Sequence, residues 1–391
     1  MKEWQNEFRR ELEERIIPFW QSLKDDVYGG FYGYMDIDLN LEKEADKGCI
    51  LNSRILWFFA SAAMCLKDDE LLKYADHAYR FLRDFCIDRE LGGVYWSVKY
   101  DGTVADDTKH TYNQAFAVYA LAAYAQATGK QEAIDLAWDI YQTIETKCRD
   151  EKGYLEALTR DFRPVSNEKL SDNGIVASRT MNTYLHVFEG YSGLYQTTGD
   201  ERIAARLREM LELFYTKIYH SGRRRQEVFF NDDYQPIIDL HSYGHDIESA
   251  WLLDWGCSLM ADEAVNAKLI PVLTEMAQNV YEKAYHGNGL YNECVNGADD
   301  QNRIWWVQAE TVVGFMNAWQ RNPEKTYFLE AAKEVWQYIQ EEIVDDRLGS
   351  EWFWRVHPDG TPGRNKEIVG PWKCPYHNGR MCIEMIRRLE A

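Results

Sequence analysis

Two kinds of helical pattern alternate along this chain, and that alternation limits its fold more than any other feature. One kind is apolar nearly all round: residues 52–66, 112–128, 182–197, 243–260, 306–319 and 376–389. The other carries one apolar face opposite a charged one: residues 71–86, 131–147, 201–217, 262–285 and 324–343. A helix that is apolar on every side must be covered on every side, whereas a one-faced helix belongs to an outer layer. The amphipathic stretch 4–23 supplies a partner for the last apolar helix and brings the expected total to six inner and six outer helices.

Glycine-led segments that alternate aromatic and polar residues mostly mark the passage from an outer helix to the next inner one. They are Gly-Gly-Phe-Tyr-Gly-Tyr-Met-Asp-Ile-Asp at 29–38 and Gly-Gly-Val-Tyr-Trp-Ser-Val-Lys-Tyr-Asp-Gly at 92–102, with weaker versions at 153–158, 226–233, 289–293 and 349–360. This is the pattern of a short strand or hairpin. Successive starts lie roughly 60–70 residues apart, which divides the chain into about six units. The expected fold class is therefore all-α: an (α/α)6 barrel of twelve helices with short β-hairpins at one rim, forming a single catalytic domain over residues 1–391. An open solenoid would need polar capping helices at both ends. The stretch 376–389 instead has an apolar face that wants a partner.

A chain of 391 residues, 46% of them hydrophobic, can bury a core of that size. Its net charge of −20 argues against nucleic acid or an anionic membrane as partner. The residues after Met1 are charged and carry no secretory pattern, and the most apolar run, 55–66, is too short to span a bilayer. The eight cysteines include no C-x-x-C pair and read as reduced thiols in a core. A cytoplasmic protein, monomeric or a weak homodimer, is expected. Fourteen Trp and twenty-five Tyr exceed what a core needs and suit stacking on sugars.

If the hairpins share a rim, so do the starts of the inner helices, and those starts are polar or aromatic where the rest of each helix is greasy. They hold Asn52-Ser-Arg54, Tyr112-Asn113, Asn182 with His186, His245 with Glu248, Trp306 with Glu310, and His377-Asn378-Gly379-Arg380. His245 and Glu248 lie three apart and share a helix face. A buried histidine held by a carboxylate is the ordinary reading of such a pair, and His241, His245 and Glu248 as zinc ligands is another. His377 follows Pro375 at a helix start, where a histidine is commonly a cap or a surface group, but here Trp372, Tyr376 and Arg380 flank it. His186 reads equally as a core histidine. Arg54 and Glu310 sit beside apolar runs and must each meet a partner or a ligand, or pair with each other. His77, His110, His220, His286 and His357 read as surface. No nucleotide-binding glycine loop or nucleophile elbow is present.

Two imidazoles near neutral pKa, a guanidinium and supporting carboxylates suit removal of a proton next to a carbonyl. Imidazoles acting from opposite sides give epimerisation, and one base returning the proton to the next carbon gives aldose–ketose isomerisation. Several strings also carry a resemblance: Asp-Lys-Gly-Cys-Ile-Leu-Asn-Ser-Arg at 46–54, Lys-His-Thr-Tyr-Asn-Gln-Ala-Phe at 109–116, Thr-Met-Asn-Thr-Tyr-Leu-His at 180–186, Ser-Tyr-Gly-His-Asp-Ile-Glu at 242–248, Trp-Trp-Val-Gln-Ala-Glu at 305–310 and Trp-Lys-Cys-Pro-Tyr-His-Asn-Gly-Arg at 372–380. From near residue 10 to its C-terminus the chain resembles the N-acylglucosamine 2-epimerase superfamily, and within it most closely the cellobiose 2-epimerases. The resemblance implies an (α/α)6 barrel, no metal or cofactor, and inversion at carbon 2 of the reducing-end glucose of a β-1,4-linked disaccharide. It also implies His245 and His377 as the acid/base pair, Arg54 as the enediolate-stabilising group, and Glu248 and Glu310 as carboxylates that orient or tune the histidines. Tyr112, Asn182, His186, Trp306 and Trp372 are implied as sugar contacts. A ketose-forming isomerase, a monosaccharide or N-acylglucosamine 2-epimerase, a glycoside hydrolase using Glu248 and Glu310, and a non-catalytic sugar-binding barrel are the alternatives.

Overall fold

The computed structural model describes residues 1–169 and 174–390, and most of its regular structure is helical. Along the chain run α1 (Lys2–Arg10), α2 (Ile17–Ser22), α3 (Cys49–Leu66), α4 (Leu72–Phe81), α5 (Thr111–Thr128), α6 (Gln131–Lys147) and α7 (Met181–Thr198). They are followed by α8 (Glu201–Leu213), α9 (Tyr243–Met260), α10 (Glu263–Ala284), α11 (Trp305–Arg321), α12 (Thr326–Tyr338) and α13 (His377–Glu390). A π-helical turn, Glu11–Ile16, joins α1 to α2, and similar turns extend α4, α8 and α12.

Two compact units make up the chain. One comprises Met1–Ser166, Asp346–Glu351 and Arg364–Ala391; the other comprises Asn167–Asp345 and Trp352–Gly363. In the first, α3 packs on α4, α5 and α13, α5 packs on α6, and α1 packs on α13. In the second, α9 packs on α7, α10 and α11, α7 packs on α8, and α11 packs on α12. Within each unit the periodicity sorted the layers correctly. For example, α3 is buried from Cys49 through Ala63, whereas α4 buries only the stripe Ala75, Ala78, Tyr79 and Phe81.

The passage from inner to outer helix is short for a local reason. Gly129 and Gly199 close α5 and α7 in the left-handed conformation, at φ of 70° and 64°, which glycine adopts without strain. Asp200 and Asp262 then cap α8 and α10 through their side-chain oxygens. The apolar run of α3 is longer than the sequence suggested. With the turn before it, the helix has eighteen residues and is long and apolar enough to cross a membrane, yet 83% of it is buried within the protein.

The glycine-led segments after the first form short strands, with partners the sequence did not reveal, whereas 29–38 makes only single bridges at Phe31 and Met35. Ser97–Val98 pairs antiparallel with Lys47–Gly48, the run-in to the preceding inner helix, as well as with Val104–Asp106 of its own hairpin. The same exchange recurs between Lys109–His110 and Ala157–Leu158, and between Leu240–Ser242 and Glu293–Val295. An amide on the first turn of an inner helix then locks the glycine-led segment before it. Asn52 accepts from the Phe31 N–H at 3.0 Å. Gln114 accepts from and donates to the Val94 backbone at 2.6 and 2.7 Å, and Gln308 does the same to Leu290 at 2.7 and 2.9 Å.

A buried basic residue also stands two positions before α3, α5, α7, α9 and α11: Lys47, Lys109, Arg179, His241 and Arg303. Lys47 donates to Asp25 at 2.6 Å and to the Gly29 carbonyl at 2.8 Å, and Lys109 contacts Asp88 at 3.1 Å and the Gly92 carbonyl at 2.7 Å. Burial alone would raise the Asp25 carboxyl, but hydrogen bonds from Lys47, Tyr28 and Val27 hold it below the ordinary aspartate value. Lys47→Ala is expected to cost about 3–5 kcal/mol in urea denaturation, because it strands a buried carboxylate. Lys109→Ala should cost distinctly less, since Arg160 also grips Asp88, at 2.8 and 3.1 Å. Equal losses would show that these anchors are not held by charge pairing. The Asp25 contribution is whole above the free-aspartate pKa and is lost as pH falls through the lowered one.

Candidate active site

The residues singled out from the sequence occupy a repeated register. Tyr112, Asn182 and Trp306 are second in α5, α7 and α11, and Arg54, His186, Glu248 and Glu310 are sixth in α3, α7, α9 and α11. Second and sixth positions lie one helical turn apart on the same face. His245 is third in α9, and His377 begins α13.

In the first unit the centre of the arrangement is Arg54. It is only 2% exposed and donates from Nη2 to the Tyr112 hydroxyl at 2.7 Å and from Nη1 toward the Cys374 sulfur at 3.9 Å. Its guanidinium carbon lies 4.1 Å from the Phe116 ring centroid, 4.7 Å from that of Tyr376 and 6.0 Å from that of Trp372. Burial opposes the charge, but the electron-rich surroundings of Tyr112, Cys374 and Tyr376 raise the pKa above the usual arginine value. Arg54 is thus a cation boxed by aromatic faces. Its Nε has no hydrogen-bond acceptor among the described residues. The anticipated pairing with a carboxylate is replaced by the hydroxyl of Tyr112. Trp372 is half-buried and meets Tyr112 edge-on, with ring centroids 5.9 Å apart, and His377 lies edge-on to Tyr376 at 4.6 Å.

In the second unit His245 is half-buried, with Nδ1 bound to the Ser242 hydroxyl at 2.7 Å and its ring 4.8 Å from that of Trp306. Gly244 matters here through packing. A Cβ at that position would stand 2.6 Å from both the Trp306 indole and Val307, so only glycine lets Trp306 lie against α9. Glu248 is fully buried, and Glu310 is 1% exposed and accepts from the Trp251 indole N–H at 2.9 Å. Asn182 and Trp306 are half-buried. His186 is buried and bonded through Nδ1 to Glu189 at 2.8 Å. His241 is held through Nε2 by Asp246 at 2.8 Å, so its carboxylate partner is Asp246 rather than Glu248.

Some residues were misjudged or missed. Asn52 and Asn113, read as polar rim groups, hold backbone: Asn113 donates to the Tyr95 carbonyl at 2.6 Å. His110, read as a surface residue, is 2% exposed and packs on Trp96 at 4.4 Å, and His77 is half-buried, bonded through Nε2 to the Gly30 carbonyl at 2.9 Å. Glu189 went unnoticed although His186-x-x-Glu189 repeats the spacing of His245-x-x-Glu248. Ser242 had no signal beyond lying one turn before His245.

Relatives of known identity share this chain over nearly its whole length. Residues 30–379 match the N-acylglucosamine 2-epimerase (GlcNAc 2-epimerase) family. A cellobiose 2-epimerase from Eubacterium cellulosolvens is 50% identical over 394 residues, which cover 97% of each chain. The solved structure of a sugar epimerase from a ruminal bacterium superposes with a TM-score of 0.97 at 48% identity, covering 98% of this chain and 99% of that one. The cellobiose 2-epimerase of Bacillus thermoamylovorans B4167 superposes with a TM-score of 0.95 at 44% identity, covering 99% of this chain and 100% of that one. This likeness gives the chain the fold class of those enzymes, all-α and (α/α)6. By family, fold and relatives together, the chain belongs to the N-acylglucosamine 2-epimerase family and is a carbohydrate epimerase, an isomerase.

Proposed function

We propose that the enzyme inverts carbon 2 of the reducing-end glucose of a β-1,4-linked disaccharide, as the names of relatives it matches suggest. The observation that carries this reading is Arg54, a buried cation with no carboxylate among its described partners. Aromatic faces and a hydroxyl hold this charge without neutralising it. It becomes useful when a reaction develops negative charge beside it.

In the proposed sequence the sugar ring opens and exposes the carbonyl at carbon 1. One imidazole of the His245/His377 pair takes the proton from carbon 2. The C–H electron pair moves into the new C1–C2 double bond, and the carbonyl oxygen becomes an enediolate oxygen opposite Arg54. The other imidazole delivers a proton to the opposite face of carbon 2, the carbonyl re-forms and the ring closes. The Ser242 bond to Nδ1 supports Nε2 as the working nitrogen of His245. Glu248 and Glu310 orient or tune the histidines, and Tyr112, Asn182, His186, Trp306 and Trp372 hold the sugar. The residues are proposed to work as one catalytic domain, monomeric or weakly dimeric and cytoplasmic, without metal or cofactor.

One experiment tests the proposal. Cellobiose or lactose is incubated with the enzyme in buffered D₂O without added metal or nucleotide, and the products are followed by NMR. The expected result is the mannose-terminated epimer carrying deuterium at carbon 2, since an imidazole proton exchanges with solvent between turnovers. A ketose product would select the isomerase reading, and free glucose would select hydrolysis by Glu248 and Glu310. An epimer that still carries protium would overturn the two-base sequence.

A further inference from the structure

The aromatic wall beside Arg54 does not stop at Trp372. Its next ring is Trp96, half-buried, with its centroid 5.7 Å from that of Trp372 at an interplanar angle of 61°. Behind Trp96 stands the buried His110 ring, 4.4 Å away. The Trp96 backbone is fixed on both sides: its carbonyl accepts the Cys49 N–H at 3.0 Å, at the start of the Arg54 helix, and its N–H donates to the Asp106 carbonyl at 3.2 Å. The indole is therefore held in place by neighbours on its own unit, yet it retains solvent-accessible surface.

The order of the wall is informative. Arg54 is buried, the half-buried Trp372 comes within 6.0 Å of its guanidinium, and Trp96 is the next ring along from Trp372, outside the group of rings that box Arg54. A sugar whose carbonyl carbon reaches Arg54 places any glycosidically attached ring further along the same wall. Pyranose rings present an apolar C–H face, and a flat, pre-positioned indole binds such a face at little ordering cost.

We propose that Trp96 is a specificity-determining residue that takes the sugar ring attached to the reacting one and so favours disaccharides over monosaccharides. This rests on the functional reading given above, because it needs the reacting ring at Arg54. The test is calorimetric titration of cellobiose and of glucose into the full chain, for the wild type and for Trp96→Ala, Trp96→Leu and Trp96→Phe. Leucine keeps bulk without a flat face, so it stands in if the alanine variant does not fold, and phenylalanine restores a flat face.

Trp96→Ala and Trp96→Leu are expected to weaken cellobiose about tenfold, as loss of one apolar contact face would. Glucose binding should change less than about twofold, and Trp96→Phe should regain most of the cellobiose affinity. In steady-state assays the same loss should fall on KM rather than kcat. Equal weakening of both sugars, or no weakening of either, overturns the proposal, as does an alanine-like Trp96→Phe. Wild-type enzyme that binds cellobiose without epimerising it would refute the functional reading and leave the binding comparison to decide Trp96 alone. Wild-type enzyme that binds neither sugar overturns both.

Discussion

Turnover of His245→Ala and of His377→Ala is expected to fall by roughly 10²–10⁴-fold each, the range that a positioned general acid or base contributes. The far-ultraviolet circular dichroism of both variants should stay that of the wild type. His245 is half-buried, and His377, although buried, stands at the first position of its helix, so neither change removes a side chain from the middle of a core helix. His186→Ala should behave differently. It leaves Glu189, 1% exposed, without its imidazole partner and is expected to lower both activity and the urea midpoint. Near-normal turnover in either His245→Ala or His377→Ala would remove that histidine from proton transfer. An unchanged urea midpoint for His186→Ala would show that Glu189 does not depend on it.

For Arg54 the expectation is a conflict between activity and stability. Arg54→Lys keeps the charge but loses the planar fork that reaches Tyr112 and stacks on Phe116 and Tyr376, and kcat is expected to fall roughly 10²–10³-fold. Arg54→Met should be at least as inactive, yet as stable as the wild type or more so. It replaces a buried cation that has no carboxylate among its described partners with an apolar side chain inside an aromatic box. Thermal melts and initial rates on the same preparations decide the matter. An Arg54→Met protein destabilised by several kcal/mol would make Arg54 a structural residue, and the enediolate role would lose its support.

What the sequence made legible was whatever a helix says about itself. Periodicity separated α3 from α4 and placed Arg54, His186, Glu248 and Glu310 at equivalent turns, because both facts depend on spacing within one element. The identity of long-range partners was not legible. Nothing in the spacing tells that the run-in at Lys47–Gly48 pairs with Ser97–Val98, or that Lys47 reaches back to Asp25. Asn52 and Asn113 looked like site residues because a polar side chain at the mouth of an apolar helix reads the same whether it serves a ligand or a neighbouring backbone. His110 failed for a related reason: its cover, Trp96, comes from a different segment. The repeated basic residue before the inner helices was visible in principle, since Lys47, Lys109, Arg179, His241 and Arg303 hold one register. Because they differ in type, the match shows only once the helix starts are aligned.

The packing of α1 on α13 has a consequence for how the protein is made. Trp4 and Phe8 are buried, and Gln5 donates to the Ile386 carbonyl at 2.9 Å, so the helix that leaves the ribosome early is completed by one that leaves it more than three hundred residues later. At translation rates of about 5–20 residues per second, the apolar stripe of α1 waits on the order of 20–75 seconds for its cover. The whole of Asn167–Asp345 emerges in that interval and is free to form its own helix pairs first. A nascent chain therefore carries the uncovered stripe of α1 throughout the translation of residues 11–376, and a ribosome stalled before residue 377 would present that stripe to chaperones.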